Sequence, residues 1–154
     1  MDVFTVSMFG HRRVVDSVSV ERALERLVRQ LLLEKEYVEF LLGRDGDFDL
    51  LAAAVIRRCK QTVRDDNSAM VWVMPYLKAE YKRDPKAFLD YYDEIEVCEP
   101  AAYFKTAFRN RNRQMVDRSD LAVFYVEEPR GGAFETMRYA EERKIAIVCL
   151  SERT

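Results

Sequence analysis

The sequence predicts an α/β fold, a three-layer α-β-α sandwich of Rossmann-like type with a mostly parallel sheet of five to six strands. Two observations predict it. Short apolar runs alternate with longer segments in which apolar residues recur at helical spacing. Clusters of glycine and charged residues follow several of the apolar runs, as they do where a parallel strand turns into a helix. No linker or internal repeat interrupts the pattern, so we expect a single domain over residues 1–154.

The first third of the chain shows this alternation most simply. Asp2–Phe9 is rich in β-branched and apolar residues and predicts a strand that ends at Gly10. Residues 19–36 carry apolar side chains at helical spacing with charges between them, which predicts an amphipathic helix. Tyr37–Leu42 predicts a second strand, closed by Gly43.

The middle of the chain continues with one helix and one strand and then becomes irregular. A helix is predicted to run to about Val63, with Asp47 or Asp49 as its cap. Ala69–Met74 is almost continuously apolar, which is typical of a strand covered on both faces. Pro75–Tyr92 mixes tyrosines with charged residues and predicts a long loop with one helical turn.

The last third returns to strict alternation. Ile95–Cys98 predicts a short strand, and a helix is predicted over about Tyr103–Arg118. Leu121–Val126 predicts a further strand. A helix over Gly132–Arg143 and a strand over Ile145–Leu150 complete the sheet.

Composition restricts the partners that we expect. The 25 basic and 27 acidic residues nearly balance, so the chain as a whole has no electrostatic attraction for nucleic acid or for a membrane. We therefore predict neither partner. The three cysteines Cys59, Cys98 and Cys149 are far apart, without CxxC spacing, so we predict neither a metal site nor a disulfide framework, and no cofactor. No signal-peptide pattern or transmembrane run is present in the sequence, which predicts a cytoplasmic protein.

The turn after the first strand is a candidate ligand site. Gly10 allows a ligand to approach the backbone closely. His11, the only histidine, could donate to a phosphate or a ribose hydroxyl, and Arg12 could pair with phosphate. The alternative is an ordinary surface turn with solvated side chains.

The turn after the second strand, LLGRDGDFD, is glycine-rich but lacks the lysine of a Walker loop. Gly43, Gly46 and Asp49 are its candidate ligand residues, acting through backbone N–H groups or through a carboxylate on a hydroxyl. The alternative is that Asp47 or Asp49 serves only as a helix cap.

The helix around FRNRNRQMVDR is strongly basic. Arg111 shares a stripe of this helix with Phe104, Phe108 and Met115, which brings the guanidinium toward the core or a cleft rim. A buried guanidinium needs an anionic partner. The partner is either a buried aspartate or the phosphate of a ligand.

The turn after the fifth strand carries two glycines at the start of a helix. The free N–H groups at Gly131 and Gly132 can bind phosphate, and Thr136 can add a hydroxyl. Glu135 lies in the same first turn, where a carboxylate also stabilises the helix dipole without any further role.

These motifs, in this order, resemble the SLOG superfamily, whose best-known members are the Lonely Guy enzymes. The resemblance rests on Arg111 to Met115, which is similar to the family's R-K-x-x-M helix, and on the Gly131-Gly132 turn followed by Thr136. It implies a Rossmann-like fold, a phosphate site at Arg111, Gly131, Gly132 and Thr136, and a homodimer. The glutamate that the family places after the threonine has no counterpart, because residues 137–139 are Met-Arg-Tyr.

Two functions follow from these residues. The first is binding, as a sensor, of a nucleotide-derived, phosphate-bearing small molecule at the carboxyl edge of the sheet. The alternative is a nucleotide N-glycosidase or phosphoribohydrolase-like hydrolase in which Glu135 replaces the missing catalytic carboxylate. A third interpretation is a structural protein that uses the segment Tyr76–Tyr92 as a partner surface.

Overall fold

The computed structural model describes residues 1–151 as strands and helices in regular alternation. The six strands are β1 (Val3–Gly10), β2 (Tyr37–Leu42), β3 (Ser68–Met74), β4 (Glu94–Val97), β5 (Leu121–Tyr125) and β6 (Ala146–Cys149). The six helices are α1 (Ser17–Glu34), α2 (Asp47–Thr62), α3 (Ala79–Arg83), α4 (Pro85–Tyr91), α5 (Ala107–Asp117) and α6 (Gly132–Glu142). A short 3₁₀ turn at Phe104–Thr106 leads into α5.

The six strands form one sheet in the order β4-β3-β2-β1-β5-β6, and every neighbouring pair is parallel. β1 lies in the middle, where Val6 is opposite Phe40 of β2 on one side and Leu121 of β5 on the other. The predicted fold class is confirmed.

Alternation along the strands divides the core into two layers. Met8 packs on one face of the sheet among residues of α1 and α2, such as Leu24 and Ile56. The next residue, Phe9, points to the opposite face and packs with Met115 of α5 and other residues of α5 and α6. Successive side chains of a strand point to opposite faces, so β1 contributes to both layers.

Residues 75–92 differ from the prediction of a long loop. Asp84 caps α4 by accepting a hydrogen bond from the backbone N–H of Ala87 at 3.3 Å, and Pro85 occupies the first turn. Tyr81, Phe88 and Tyr92 pack around Trp72 of β3, with a Trp72–Phe88 ring-centroid distance of 5.1 Å. Capping and aromatic packing therefore stabilise two helices too short to show a period in the sequence.

The chain direction across the sheet reverses next to β1. The connection after β1 leads to α1 on one face, and the connection after the neighbouring β5 leads to α6 on the other. The two connections diverge and leave a crevice at the carboxyl ends of these strands, the usual place for a ligand in an open α/β sheet. Within residues 1–151, no helix has both the length and the apolar content needed to cross a bilayer.

Candidate functional site

The crevice opens into a cavity of about 270 Å³, called the main cavity below. The loops after β1, β2 and β5 and one face of α5 form its walls. All the predicted ligand-binding residues except Thr136 line it, and these are Gly10, His11, Arg12, Gly43, Gly46, Asp49, Arg111, Gly131 and Gly132. The structure thus brings residues from four distant segments together, and their role in binding remains a prediction.

Arg111 is the most constrained side chain of the main cavity, with only 5% of its surface exposed. Its Nη2 donates to Asp45 Oδ2 at 2.8 Å, and its Nη1 donates to the Val73 carbonyl at 3.1 Å. Its Nε donates to Asn112 Oδ1 at 2.9 Å. Of the two partners that the sequence left open, the structure therefore shows the aspartate, whose side chain is 14% exposed.

Asp45 links three elements, and sequence analysis did not single it out. Besides Arg111, it accepts a hydrogen bond from Lys78 Nζ at 2.9 Å. Burial raises the pKa of Asp45, but the two cations outweigh burial and hold its pKa below the usual value. Asp45 is therefore an anion at neutral pH, and it fixes Arg111 and Lys78 in place.

Asp49 lies beside this ion pair, and its pKa is shifted in the opposite direction to that of Asp45. Its Oδ2 accepts the backbone N–H of Asp45 at 3.0 Å. Burial, with the neighbouring charge of Asp45, raises the pKa of Asp49 to about 6. Asp49 does not cap α2 from the N-cap position, which Gly46 occupies without a side-chain hydrogen bond.

Gly43 allows these charged groups to meet. A Cβ atom at Gly43 would lie 2.9 Å from Arg111 Nη1 and 2.9 Å from Asp45 Oδ2. To make room for it, the Arg111–Val73 hydrogen bond or the Arg111–Asp45 ion pair would have to shift. The glycine therefore has a packing function at the end of β2, in addition to any contact with a ligand.

His11 connects the loops after β1 and β5. Its Nε2 accepts hydrogen bonds from the backbone N–H groups of Glu127 at 2.9 Å and Glu128 at 3.2 Å. An accepting Nε2 places the imidazole proton on Nδ1. The predicted donation to a ligand therefore cannot come from Nε2, which holds the loop that leads to Gly131. The neighbouring Arg12 is exposed.

The amino end of α6 faces the main cavity. Gly131 is its N-cap residue and has a φ of +95°, a conformation that favours glycine. No side chain caps this end, so the first N–H groups are available to an anion.

Thr136 and Glu135 lie outside the main cavity. The Thr136 hydroxyl donates to the Gly132 carbonyl at 2.8 Å and accepts from Asn112 Nδ2 at 3.1 Å. Glu135 is exposed and lines a second cavity of about 360 Å³ between α5 and α6, called the α5–α6 cavity below. Glu135 is therefore not placed beside Arg111.

Three aromatic rings extend from the main cavity along the surface and form an aromatic ladder of Phe104, Tyr76 and Phe108. Tyr76 lies between the others, with centroid distances of 5.0 Å to Phe104 and 5.8 Å to Phe108. Lys78 Nζ and the Arg111 guanidinium carbon lie 5.6 Å and 5.5 Å from the centroid of the Phe108 ring. Phe104 is 71% exposed, so this part of the predicted inward stripe faces solvent.

The all-parallel sheet, the helices on both faces and the crevice beside β1 define a Rossmann-like α/β protein. No family model and no curated protein matches the chain. Two solved structures share the fold. One is DNA processing protein A from Helicobacter pylori, described for its unique single-stranded DNA binding mode, with a TM-score of 0.69 and 16% identity. The other is DNA processing protein A from Streptococcus pneumoniae, with a TM-score of 0.69 and 17% identity.

The likeness extends over almost all of this chain but only part of the other two. It covers 97% of this chain and 66% of the Helicobacter protein, and 95% of this chain and 50% of the Streptococcus protein. At these low sequence identities, the likeness shows only that the fold is shared. A Rossmann-like fold agrees with the SLOG resemblance at that level.

This finding overturns two expectations from the sequence. The predicted sensor of a nucleotide-derived small molecule, with its hydrolase alternative, is contradicted by neighbours that are DNA processing proteins, and so is the expected absence of a nucleic-acid partner. The residue types did not distinguish the two classes of ligand, because mononucleotides and single strands both carry phosphate groups and base faces. The same side chains can therefore bind either. Net charge averaged over the chain also conceals a local basic surface on α5.

Proposed function

We propose that this protein binds single-stranded DNA at the main cavity and along the aromatic ladder. The observation that carries the proposal is the continuity of the ladder with the cavity: Phe104, Tyr76 and Phe108 lead directly to the amino end of α6. The likeness to a DNA processing protein described for single-stranded DNA binding supports it. Aromatic rings beside a phosphate-binding groove are the usual means of holding a single strand.

The phosphate contacts would come from the α6 amino end and from Arg12. The floor of the main cavity holds Asp45 and Asp49 together with Arg111 and Lys78, so its formal charges cancel when both acids are ionised. A phosphate therefore gains little from the floor itself. The uncapped N–H groups after Gly131 provide the electrostatic attraction at the cavity.

The base contacts would come from the aromatic ladder. Phe104 is largely exposed, and Phe108 is half-buried at the cavity wall. In a duplex the base faces are covered by neighbouring base pairs, whereas a single strand can place its bases on aromatic rings. The ladder therefore favours single strands over duplexes.

Fluorescence anisotropy with a labelled oligothymidylate and a duplex of equal length tests this proposal. We expect the single strand to bind and the duplex to bind more weakly. Phe108→Ala should weaken single-strand binding by about tenfold, since one base–aromatic stack contributes ~1–3 kcal/mol. Phe4→Ala is the matched control, because Phe4 is also half-buried with a cation, Lys35, 4.2 Å from its ring centroid, and lies at the amino end of the sheet.

The proposal fails if the oligothymidylate does not bind. It also fails if the duplex binds as tightly, or if Phe108→Ala and Phe4→Ala weaken binding equally. Circular dichroism of both variants confirms that each is folded.

A further inference from the structure

The α5–α6 cavity adjoins the main cavity and has a different electrostatic character. Its walls carry three exposed arginines, Arg109 and Arg113 of α5 and Arg138 of α6. Glu135 is the one acidic residue among the described residues that line it, so the formal charge of this lining is +2. The main cavity floor, in contrast, is close to neutral.

The charges of these arginines are not neutralised by the protein. Within residues 1–151, none of the three forms an ion pair with a carboxylate. The guanidinium carbon of Arg113 lies 4.7 Å from the centroid of the Tyr139 ring, and that of Arg138 lies 5.9 Å from the centroid of Phe134. Stacking on a ring orients a guanidinium and leaves its charge available to an anion.

The three arginines keep like charges close together in the free protein. Arg109 and Arg113 are four residues apart on one helix, where like charges are neighbours and weakly repel. A bound phosphate would relieve this repulsion. The ring contacts stabilise Arg113 and Arg138 individually, but they do not offset the repulsion between Arg109 and Arg113 as a bound anion would.

The two cavities share a wall that joins their polar networks. Phe108, Asn112 and Gly132 line both. Asn112 accepts from Arg111 Nε on the main-cavity side and donates to Thr136 Oγ1 on the other side. Both side-chain functions of Asn112 are thus engaged, and it holds α5 and α6 at a fixed separation.

We infer that the α5–α6 cavity is a second phosphate subsite, which holds the next part of a single strand whose first part occupies the main cavity. This inference rests on the proposed function and extends it. The ligand is then an internal segment of a longer single strand, and this segment passes over Phe108 from one cavity to the other. A mononucleotide fills one cavity only and does not reach the arginines of the other.

The salt dependence of oligothymidylate binding tests the inference, with the triple variant Arg109→Ala/Arg113→Ala/Arg138→Ala. For single strands, the slope of log affinity against log salt changes by ~0.7 for each phosphate contact, so the slope should become shallower by about 2. The matched control is Arg22→Ala/Arg26→Ala/Arg29→Ala, which removes the same charge from exposed positions of α1 on the opposite face of the sheet.

The length of the strand provides an independent readout. We expect wild-type affinity to rise steeply when thymidine monophosphate is replaced by a short oligothymidylate, and we expect the triple variant to lose most of this rise. Arg109→Ala alone, which removes a side chain without an ion pair or ring contact in residues 1–151, should make the slope shallower by ~0.7 even if the triple variant does not fold.

The outcomes separate the two proposals. If wild-type protein binds the oligothymidylate and the α5–α6 variants behave like the α1 control, the second subsite is overturned and the proposed function stands. If wild-type protein binds no single strand, both are overturned. A shallower slope confined to the α5–α6 variants supports the second subsite.

Discussion

Arg111 and Asp45 form a largely buried ion pair, with 2.8 Å between Nη2 and Oδ2, that ties α5 to the loop after β2. Arg111 is 5% exposed, and Asp45 also pairs with Lys78. This contact positions one wall of the main cavity relative to the sheet. It also shows that the guanidinium predicted to bind a ligand phosphate is already held by a carboxylate of the protein.

Removal of Arg111 should destabilise the fold. Arg111→Met leaves the largely buried Asp45 with Lys78 as its remaining ion-pair partner within residues 1–151, and breaking a buried pair in this way costs about 3 kcal/mol. Urea unfolding followed by circular dichroism measures the change. Arg26→Met on α1, an exposed arginine, is the control and should change the free energy of unfolding by less than about 0.5 kcal/mol. Equal effects of the two substitutions would contradict the structural importance of the pair.

Substitution by alanine should affect the stability of the fold differently at Gly43 and at Gly132. A Cβ atom at Gly43 meets Arg111 and Asp45 at 2.9 Å, whereas one at Gly132 has no neighbour within 4 Å. Gly43→Ala should therefore cost about 1–3 kcal/mol, as overpacking does. Gly132→Ala should be nearly neutral for stability. The midpoints of thermal unfolding of the two variants provide the comparison, and a neutral Gly43→Ala would show that the ion pair can relax.

The stability of the fold should depend on pH through Asp49. Its pKa is raised from 3.8 to about 6 in the folded protein, so the native state binds the proton more tightly than the unfolded state. The stabilisation from this proton is complete below about pH 4 and is lost as the pH rises through about 6. The charged groups that face Asp49 are Asp45, Arg111 and Lys78.

Asp49→Asn tests this dependence, because it removes the titrating group and retains an oxygen for the Asp45 N–H. Between about pH 4 and pH 6, the wild type should lose about 2 kcal/mol relative to the variant. Urea unfolding across this range measures the difference. Parallel pH profiles for the two proteins would contradict the assignment.

His11 should control the order of the loop that leads to α6. His11→Phe removes the acceptor of the Glu127 and Glu128 N–H groups, whereas His11→Gln retains an acceptor oxygen. Hydrogen exchange of these two amides should accelerate by about tenfold in His11→Phe, since a lost hydrogen bond is worth ~1 kcal/mol or more. It should change much less in His11→Gln. Unchanged exchange in His11→Phe would show that other contacts hold the loop.

The fold was predictable because its main signals are local. The helical spacing of apolar residues in α1 and the unbroken apolar run of β3 each predict one element without knowledge of the others. The helices α3 and α4 were not predictable in the same way. They span five and seven residues, and they depend on the Asp84 cap and on packing against Trp72.

The sequence predicted that the candidate site residues converge, but it did not predict the contacts among them. Glycines at the carboxyl ends of β1 and β2 indicated the edge of the sheet at which the main cavity lies. The choice of Asp45 as the partner of Arg111 depends on the close approach that Gly43 allows, which no local pattern encodes. The expectation of no nucleic-acid partner averaged charge over the whole chain, whereas Arg109 and Arg113, which form no ion pair within residues 1–151, lie together on α5.

Photo-cross-linking tests the central claim, that a single strand lies on the aromatic ladder beside the main cavity, most directly. An oligothymidylate that contains 5-iodouracil is irradiated with the protein, and the linked peptides are identified by mass spectrometry. We predict cross-links at Phe104, Tyr76 or Phe108, which are lost when unlabelled single strand is added in excess. Cross-links confined to α1, on the opposite face of the sheet, or no competed cross-link at all, would contradict the claim.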